Sequence, residues 1–207
     1  MPHRVYISSD TQAKMRLLAS VFPQAEIRVL PNRGRDVCPK LFGFGDRHRD
    51  HDLVLQLHGK KSVHSTALES WLELALDCLL PPEPEINRIL SLFQSVPALG
   101  IVAPLTHRAV LGAAHWGDNR EMAQEVMRRA GIDQPLPGDD ALRFPVGSMF
   151  WARRALLQPL LDLALEPGHL PPEEGQVDAT LAHAFERLYG VICAAQGAHL
   201  IRVAPQG

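Results

Sequence analysis

The chain has 207 residues, 46% of them hydrophobic, enough to bury one sizeable core without division into separate domains. Its 21 basic and 23 acidic residues leave a formal charge of −2, so a nucleic-acid footprint or a basic membrane patch is not expected, and any positive site must be local. Cys38, Cys78 and Cys193 stand far apart without a CxxC pair, no stretch approaches the ~18 apolar residues of a membrane span, and Met1-Pro2-His3-Arg4 opens no signal peptide, which together point to the reducing cytoplasm and against structural zinc or a disulfide framework.

Arg4 to Ser8 is a short β-prone run, and Ser9-Asp10-Thr11 supplies N-cap chemistry for a helix through about Val21. Ala25 to Leu30 reads as a second strand ending at Pro31-Asn32-Arg33-Gly34-Arg35-Asp36, and Pro39 to Gly45 as a short helix. Asp52 to Leu57 holds an almost unbroken apolar run, as expected of a strand covered on both faces. It runs into His58-Gly59-Lys60-Lys61-Ser62. Ala67 to Leu79 follows as a helix with apolar residues at helical spacing. Pro81-Pro82-Glu83-Pro84 breaks it, and Glu85 to Ser95 restarts helix.

Leu99 to Pro104 is a fourth apolar strand, Thr106 to Asn119 is poorly patterned, and Glu121 to Ala130 is a helix stopped by Gly131. Asp133 to Asp140 is a loop, Phe144 to Ala152 is apolar and β-prone, and a helix follows from Arg153 to about Leu165. After a loop at Pro167 to Gln176, Val177 to Leu188 reads as helix, with Val191 to Ala194 and His199 to Val203 as terminal strands. Strands alternating with helices, without repeats, predict an α/β domain over 1–207 with a mostly parallel central sheet flanked by helices.

In open α/β sheets ligands sit outside the carboxyl ends of the strands. Three polar clusters fall at strand ends or loops: Asn32 to Asp36, His58 to Ser62, and Gln176 with Asp178. If the strands delivering the first two are neighbours, Arg33, Arg35, Lys60 and Lys61 converge on one anion, and a nucleotide diphosphate suits such a site. Asp50-His51-Asp52 is a formal Asp-x-Asp, but it lies at the amino end of its strand, ~20 Å from the carboxyl end, and is rejected as a metal site. His183 and Glu186 are three apart on a predicted helix and Arg187 is four beyond His183; no metal role is assigned to them. Phe150 and Trp151 read as packing. Trp116, with His115 and Asn119, is the candidate exposed aromatic. No Walker sequence, GxGxxG or GxSxG is present.

Four ordered blocks carry a resemblance to a known family: Asn32-Arg33-Gly34-Arg35-Asp36, Leu57-His58-Gly59-Lys60-Lys61-Ser62, Phe144 to Arg153, and Gln176 to Arg187. Together they resemble the successive motifs of the rhamnan synthesis protein F family over nearly the whole chain. The resemblance implies a single GT-A-like (nucleotide-diphospho-sugar transferase-like) glycosyltransferase domain of polysaccharide, O-antigen or lipopolysaccharide biosynthesis. The activity implied is rhamnosyl-type transfer from a nucleotide-sugar such as dTDP-rhamnose to a glycan acceptor. Family members carry an additional strand and helix before the segment matching Val5 to Ser8, so the resemblance implies a fragment, a mis-set start or a shortened relative that no longer transfers sugar. Where many GT-A enzymes place Asp-x-Asp, this chain has His58-Gly59-Lys60. Cations in place of metal-binding carboxylates predict a diphosphate neutralised without a divalent metal.

The implied donor-binding residues are Asn32, Arg33, Gly34, Arg35, Asp36, His58, Lys60, Lys61 and Ser62. Gly147, Ser148, Trp116 and Gln176 are expected at the acceptor or sugar, and Asp178 is the expected catalytic base, or else the N-cap of the helix that follows it. Association with other polysaccharide-assembly proteins, at the inner face of the membrane, is the expected setting. The alternative is a non-catalytic nucleotide- or glycan-binding domain in such a system.

Overall fold

The computed structural model describes residues 3–59, 66–176 and 178–205, those at 66–68 by backbone alone. The first unit is β1 (Tyr6–Ser9), α1 (Gln12–Val21) and β2 (Glu26–Val29). The Thr11 side chain caps α1 by accepting from the Lys14 amide, as the Ser-Asp-Thr sequence predicts. β1 and β2 pair in parallel, Tyr6 opposite Glu26. A π-helical turn at Cys38–Gly43 and the short α2 (Gly45–His48) lead to β3 (Leu53–Gln56). Next come α3 (Thr66–Leu79), α4 (Glu83–Ser95) and β4 (Leu99–Pro104).

The poorly patterned segment after β4 folds into 3-10 turns at Arg108–Ala113 and Gly117–Asn119, then α5 (Arg120–Arg129). β5 (Phe150–Arg153) runs directly into α6 (Arg154–Leu161). A 3-10 turn at Pro167–His169, α7 (Leu181–Ala195) and β6 (His199–Val203) complete the chain.

The sheet departs from the expected mostly parallel arrangement. Its four strands lie in the order β3-β5-β4-β6, with β5 antiparallel to both neighbours and β4 parallel to β6. The turn at Gly147–Ser148 explains the reversal. It delivers the chain beside the end of β3, where Gln56 is registered with Phe150, so β5 can only run back along the sheet. β1 and β2 form a separate two-stranded sheet. The strands that end before Asn32 and His58 are therefore not hydrogen-bonded neighbours. An ion network stitches the first sheet to α2: Arg28 pairs with Glu26 at 2.6 Å and Asp46 at 2.7 Å, and Arg47 with Glu26 at 2.8 Å. These pairs are partly exposed, so each adds little stability.

Helices cover both faces of the four-stranded sheet. On one face Ile101, Ala103, Phe150 and Ala152 pack with Leu157, Phe185, Leu188 and Tyr189 of α6 and α7. On the other, Leu72, Ala75 and Leu79 of α3 and Ile89 and Phe93 of α4 pack near Met149, Leu99 and Val102. Every residue of β4 is buried, which is why its sequence is apolar without alternation.

Three boundaries differ from the sequence reading for packing reasons. Val191 to Ala194 lie inside α7 rather than in a strand, because Val191, Ile192 and Cys193 continue its buried stripe; core contacts override β-propensity there. α7 begins at Leu181, so Asp178 lies ahead of it and Thr180 occupies the N-cap position. Of the β-prone run from Phe144, only Phe150 to Arg153 is strand, since Gly147 and Ser148 both have left-handed backbone, φ 88° and 54°.

Gly190, in the middle of α7, sets how closely that helix approaches the 143–144 backbone. A Cβ at this position would stand 1.7 Å from the Arg143 carbonyl oxygen. Gly190→Ala should therefore destabilise the fold by roughly 1–3 kcal/mol, against the gain of up to about 1 kcal/mol that the same change brings in an open helix. Urea unfolding decides; an increase in stability would show that the contact is not close.

Candidate functional site

The polar groups gather beyond the carboxyl ends of β2 and β3 and against the start of α7. After β2 the chain turns sharply, with Gly34 and Arg35 both left-handed at φ 61° and 55°, and enters the π-helical turn. That turn carries Lys40 back over Asp36: Nζ donates to Asp36 Oδ2 at 2.8 Å and to the Ser148 carbonyl at 2.6 Å. His58, just past β3, donates through Nε2 to the Gly147 carbonyl at 2.9 Å. The Gly147 amide in turn donates to Glu186 Oε1 on α7 at 2.6 Å. Side chains from three separate segments thus hold one two-residue turn. At Gly147 a Cβ would also fall 2.2 Å from the Trp71 ring, so this position needs glycine both for its positive φ and for space.

Burial disfavours the charge on Asp36, but the Lys40 ammonium, through its charge and its hydrogen bond, outweighs that and holds the carboxyl below the ordinary range. Burial pushes Glu186 the other way, upward, and Asp36 adds to the push while the Gly147 amide opposes it. His58 is lowered by burial and by Lys40, so it is a neutral donor at physiological pH.

A second group centres on Arg35. Its Nη1 donates to the Gln176 carbonyl at 3.0 Å and to His183 Nε2 at 2.8 Å. His183 Nδ1 lies 2.7 Å from Thr180 Oγ1. Burial, then Arg35 and Arg187, lower the His183 pKa to about 4.

A third group centres on Asp178. Oδ1 accepts from Asn119 Nδ2 and Oδ2 from the Asp118 amide at 3.1 Å. Arg187 Nη2 lies 3.8 Å from Oδ1 with its side chain 5% exposed, and its Nε donates to the His115 carbonyl at 3.0 Å. Burial opposes ionisation of Asp178, and the bonds from Asn119, Asp118 and Ala179 with the charge of Arg187 overcome it, so the carboxyl sits below its usual value. Rather than capping α7, Asp178 fastens the 3-10 turn at Gly117–Asn119.

The structure thus brings Arg35, Asp36, His58, Gly147, Ser148 and Asp178 into this region, and it redirects several others. Arg33 donates to the Leu170 carbonyl and bridges to Pro172, while the Asn32 carbonyl accepts from Glu173 N at 3.1 Å and Gly34 N donates to Pro171 O at 3.1 Å. These residues fasten the 166–176 loop. The Gln176 side chain is occupied inside that loop, by Glu174 N and Pro172 O; only its carbonyl reaches Arg35. Trp116 is not an exposed aromatic. It is 2% exposed, part of the main core, with Nε1 donating to Pro137 O at 2.9 Å, so its ring faces are unavailable to a sugar. Lys60, Lys61 and Ser62 lie outside the described residues.

Lys40 and Thr180 join the site without having been noted in the sequence, while His183, Glu186 and Arg187, noted there only to be denied a metal role, and Asn119, noted beside Trp116, enter it as hydrogen-bonding and charge partners. One signal was readable: Lys40 is four residues after Asp36, a spacing that pairs charges on one helical face. Thr180 and His183 are likewise only three apart, but Asn119 and Asp178 are 59 residues apart and Arg35 and His183 are 148 apart, separations over which spacing carries no information. Among the described residues no group of three or more His, Cys, Asp or Glu side chains is arranged to hold a metal ion. Among them, too, no helix is long and apolar enough to cross a membrane.

Comparison with known proteins fits the four motif blocks. The chain is 36% identical over 196 residues to the uncharacterized protein WxcX of two strains of Xanthomonas campestris pv. campestris. That match covers 92% of this chain but 27% of those relatives, so the chain spans about a quarter of their length. No solved structure matches it. The model of rhamnan synthesis protein F matches residues 2–198, and the chain belongs to that family.

Proposed function

We propose that the chain is a GT-A-like glycosyltransferase domain acting in rhamnan or related cell-surface polysaccharide synthesis. It moves a sugar, of rhamnosyl type, from a nucleotide-activated donor such as dTDP-rhamnose to a glycan acceptor. The observation that carries this reading is the convergence of separate motif blocks on one place: Asp36 with Lys40, His58 and Glu186 around the Gly147–Ser148 turn, and Arg35 against the start of α7. Membership of a rhamnan synthesis family supplies the glycan context. Association with other polysaccharide-assembly proteins at the inner face of the membrane belongs to the same reading.

In this mechanism the diphosphate of the donor is held by cations, Arg35 among them and Lys60 and Lys61 that follow His58-Gly59 in the sequence, with Ser62 as a hydroxyl donor. Gly147 and Ser148 border the sugar. The acceptor hydroxyl attacks the anomeric carbon as the bond to the diphosphate breaks, Asp178 takes the hydroxyl proton, and the cations stabilise the charge that develops on the leaving oxygen. The lowered pKa of Asp178 keeps it ionised and able to accept. Neutralisation by protein cations removes the need for a divalent metal under the diphosphate.

A second reading, a non-catalytic nucleotide- or glycan-binding domain, is favoured by one observation. Both oxygens of Asp178 already accept hydrogen bonds from the 3-10 turn. Hydrolysis of the donor by the purified chain separates the two.

Calorimetric titration with dTDP-rhamnose is expected to give the same affinity with and without EDTA, and strict dependence on manganese or magnesium would refute metal-free binding. Asp178→Asn should cut turnover by about 10²-fold or more, with a loss of roughly 1–2 kcal/mol in stability from the weakened Asn119 and Asp118 bonds. Near-wild-type turnover in that variant would remove Asp178 from the chemistry and leave it as a fastener.

A further inference from the structure

Arg35 sits on left-handed backbone at φ 55° and is exposed, a setting in which a long side chain normally samples many rotamers. Here one nitrogen is fixed twice. Nη1 donates to the Gln176 carbonyl at 3.0 Å and to His183 Nε2 at 2.8 Å. Among the described residues neither contact uses Nε or Nη2, and that edge of the guanidinium is the one that matches two oxygens of a phosphate or carboxylate.

The hydrogen-bond chemistry of the imidazole follows by elimination. Guanidinium has donors only, so Nε2 of His183 must accept and carry no proton. A neutral ring then has its proton on Nδ1, which donates to Thr180 Oγ1 at 2.7 Å. His183 is 4% exposed, on the first turn of α7, so its ring is fixed by packing as well as by Thr180.

We propose that His183 is a positioning residue that holds Nη1 of Arg35 so that the Nε–Nη2 edge faces the ligand's phosphate as a bidentate fork, with Thr180 fixing the required tautomer. This rests on the anion-binding reading given above and adds to it which residue orients the cation. Arg35 touches the anion; His183 and Thr180 act through it. Pinning one nitrogen removes rotamer freedom before binding, so the ordering cost is met during folding rather than at the encounter.

The test uses inorganic pyrophosphate as the probe, titrated calorimetrically into the full chain. Arg35→Ala and His183→Leu should each weaken binding about tenfold or more, the scale of one charge-assisted bond of ~1.4 kcal/mol or greater. His183→Gln, whose Oε1 still accepts from Arg35, should stay within about threefold of wild type. Thr180→Ser should behave as wild type and Thr180→Val should not. If Arg35→Ala weakens binding while His183→Leu does not, the positioning role is overturned and the anion site stands. Absence of pyrophosphate binding by the wild type overturns both. Long-range ¹H–¹⁵N NMR of the imidazole is the second measurement, needed if His183→Leu fails to fold. A protonated Nδ1 with bare Nε2 is expected at neutral pH, and a proton on Nε2 overturns the proposal.

Discussion

The arrangement around the candidate site depends on how the backbone of Gly147 is held. Its amide donates to Glu186 and its carbonyl accepts from His58, while Lys40 takes the next carbonyl, that of Ser148. Two consecutive left-handed residues, one of them not glycine, form a backbone state that does not persist unless its surroundings impose it. Three side chains from three segments impose it here. Because the turn also reverses the chain into β5, the same contacts that shape the site set the strand direction that makes the sheet mixed.

That arrangement concentrates charge in a small volume, and its balance is local. Lys40 is 10% exposed and pairs with Asp36, and Arg187 is 5% exposed between Glu186 and Asp178. A buried charge is tolerated only when paired and hydrogen-bonded, so each of these residues is constrained by its partner as much as by any ligand. Arg35 differs: it is exposed, and among the described residues its contacts use Nη1 alone. The buried cations are thus committed to protein carboxylates, whereas the exposed one is held by neutral acceptors alone.

The loops share in this economy. The 166–176 segment has no long helix or strand of its own and is fastened to 32–35 through Arg33, Gly34 and Asn32, while Asp178 fastens the turn after β4. Residues that read as ligand contacts by type thus spend part of their bonding capacity on loop geometry. In a family whose curated relatives are several times longer than this chain, the unit described here carries its own two-faced sheet and core, with the β1–β2 pair joined to it by surface ions.

The alternation of strands and helices, the Thr11 cap and the buried apolar strand β4 were legible in the sequence, because they depend on local propensity and on a periodicity that spans a few residues. Arg35, Asp36 and His58 stood out as candidates because polar residues at strand ends contrast with apolar runs, whereas Gly147 and Ser148, and Asp178 as the base, were candidates through the family motifs. The sheet order, the reversal of β5, the helical state of Val191 to Ala194 and the burial of Trp116 were decided by tertiary packing, in which the free energy of filling a shared core exceeds the fractions of a kcal/mol that separate local conformations. The partners of the site residues were likewise a matter of tertiary structure. Hydrogen bonds such as Arg35 to His183 join residues whose sequence separation says nothing of distance, and only the assembled fold brings donor and acceptor to 2.8 Å.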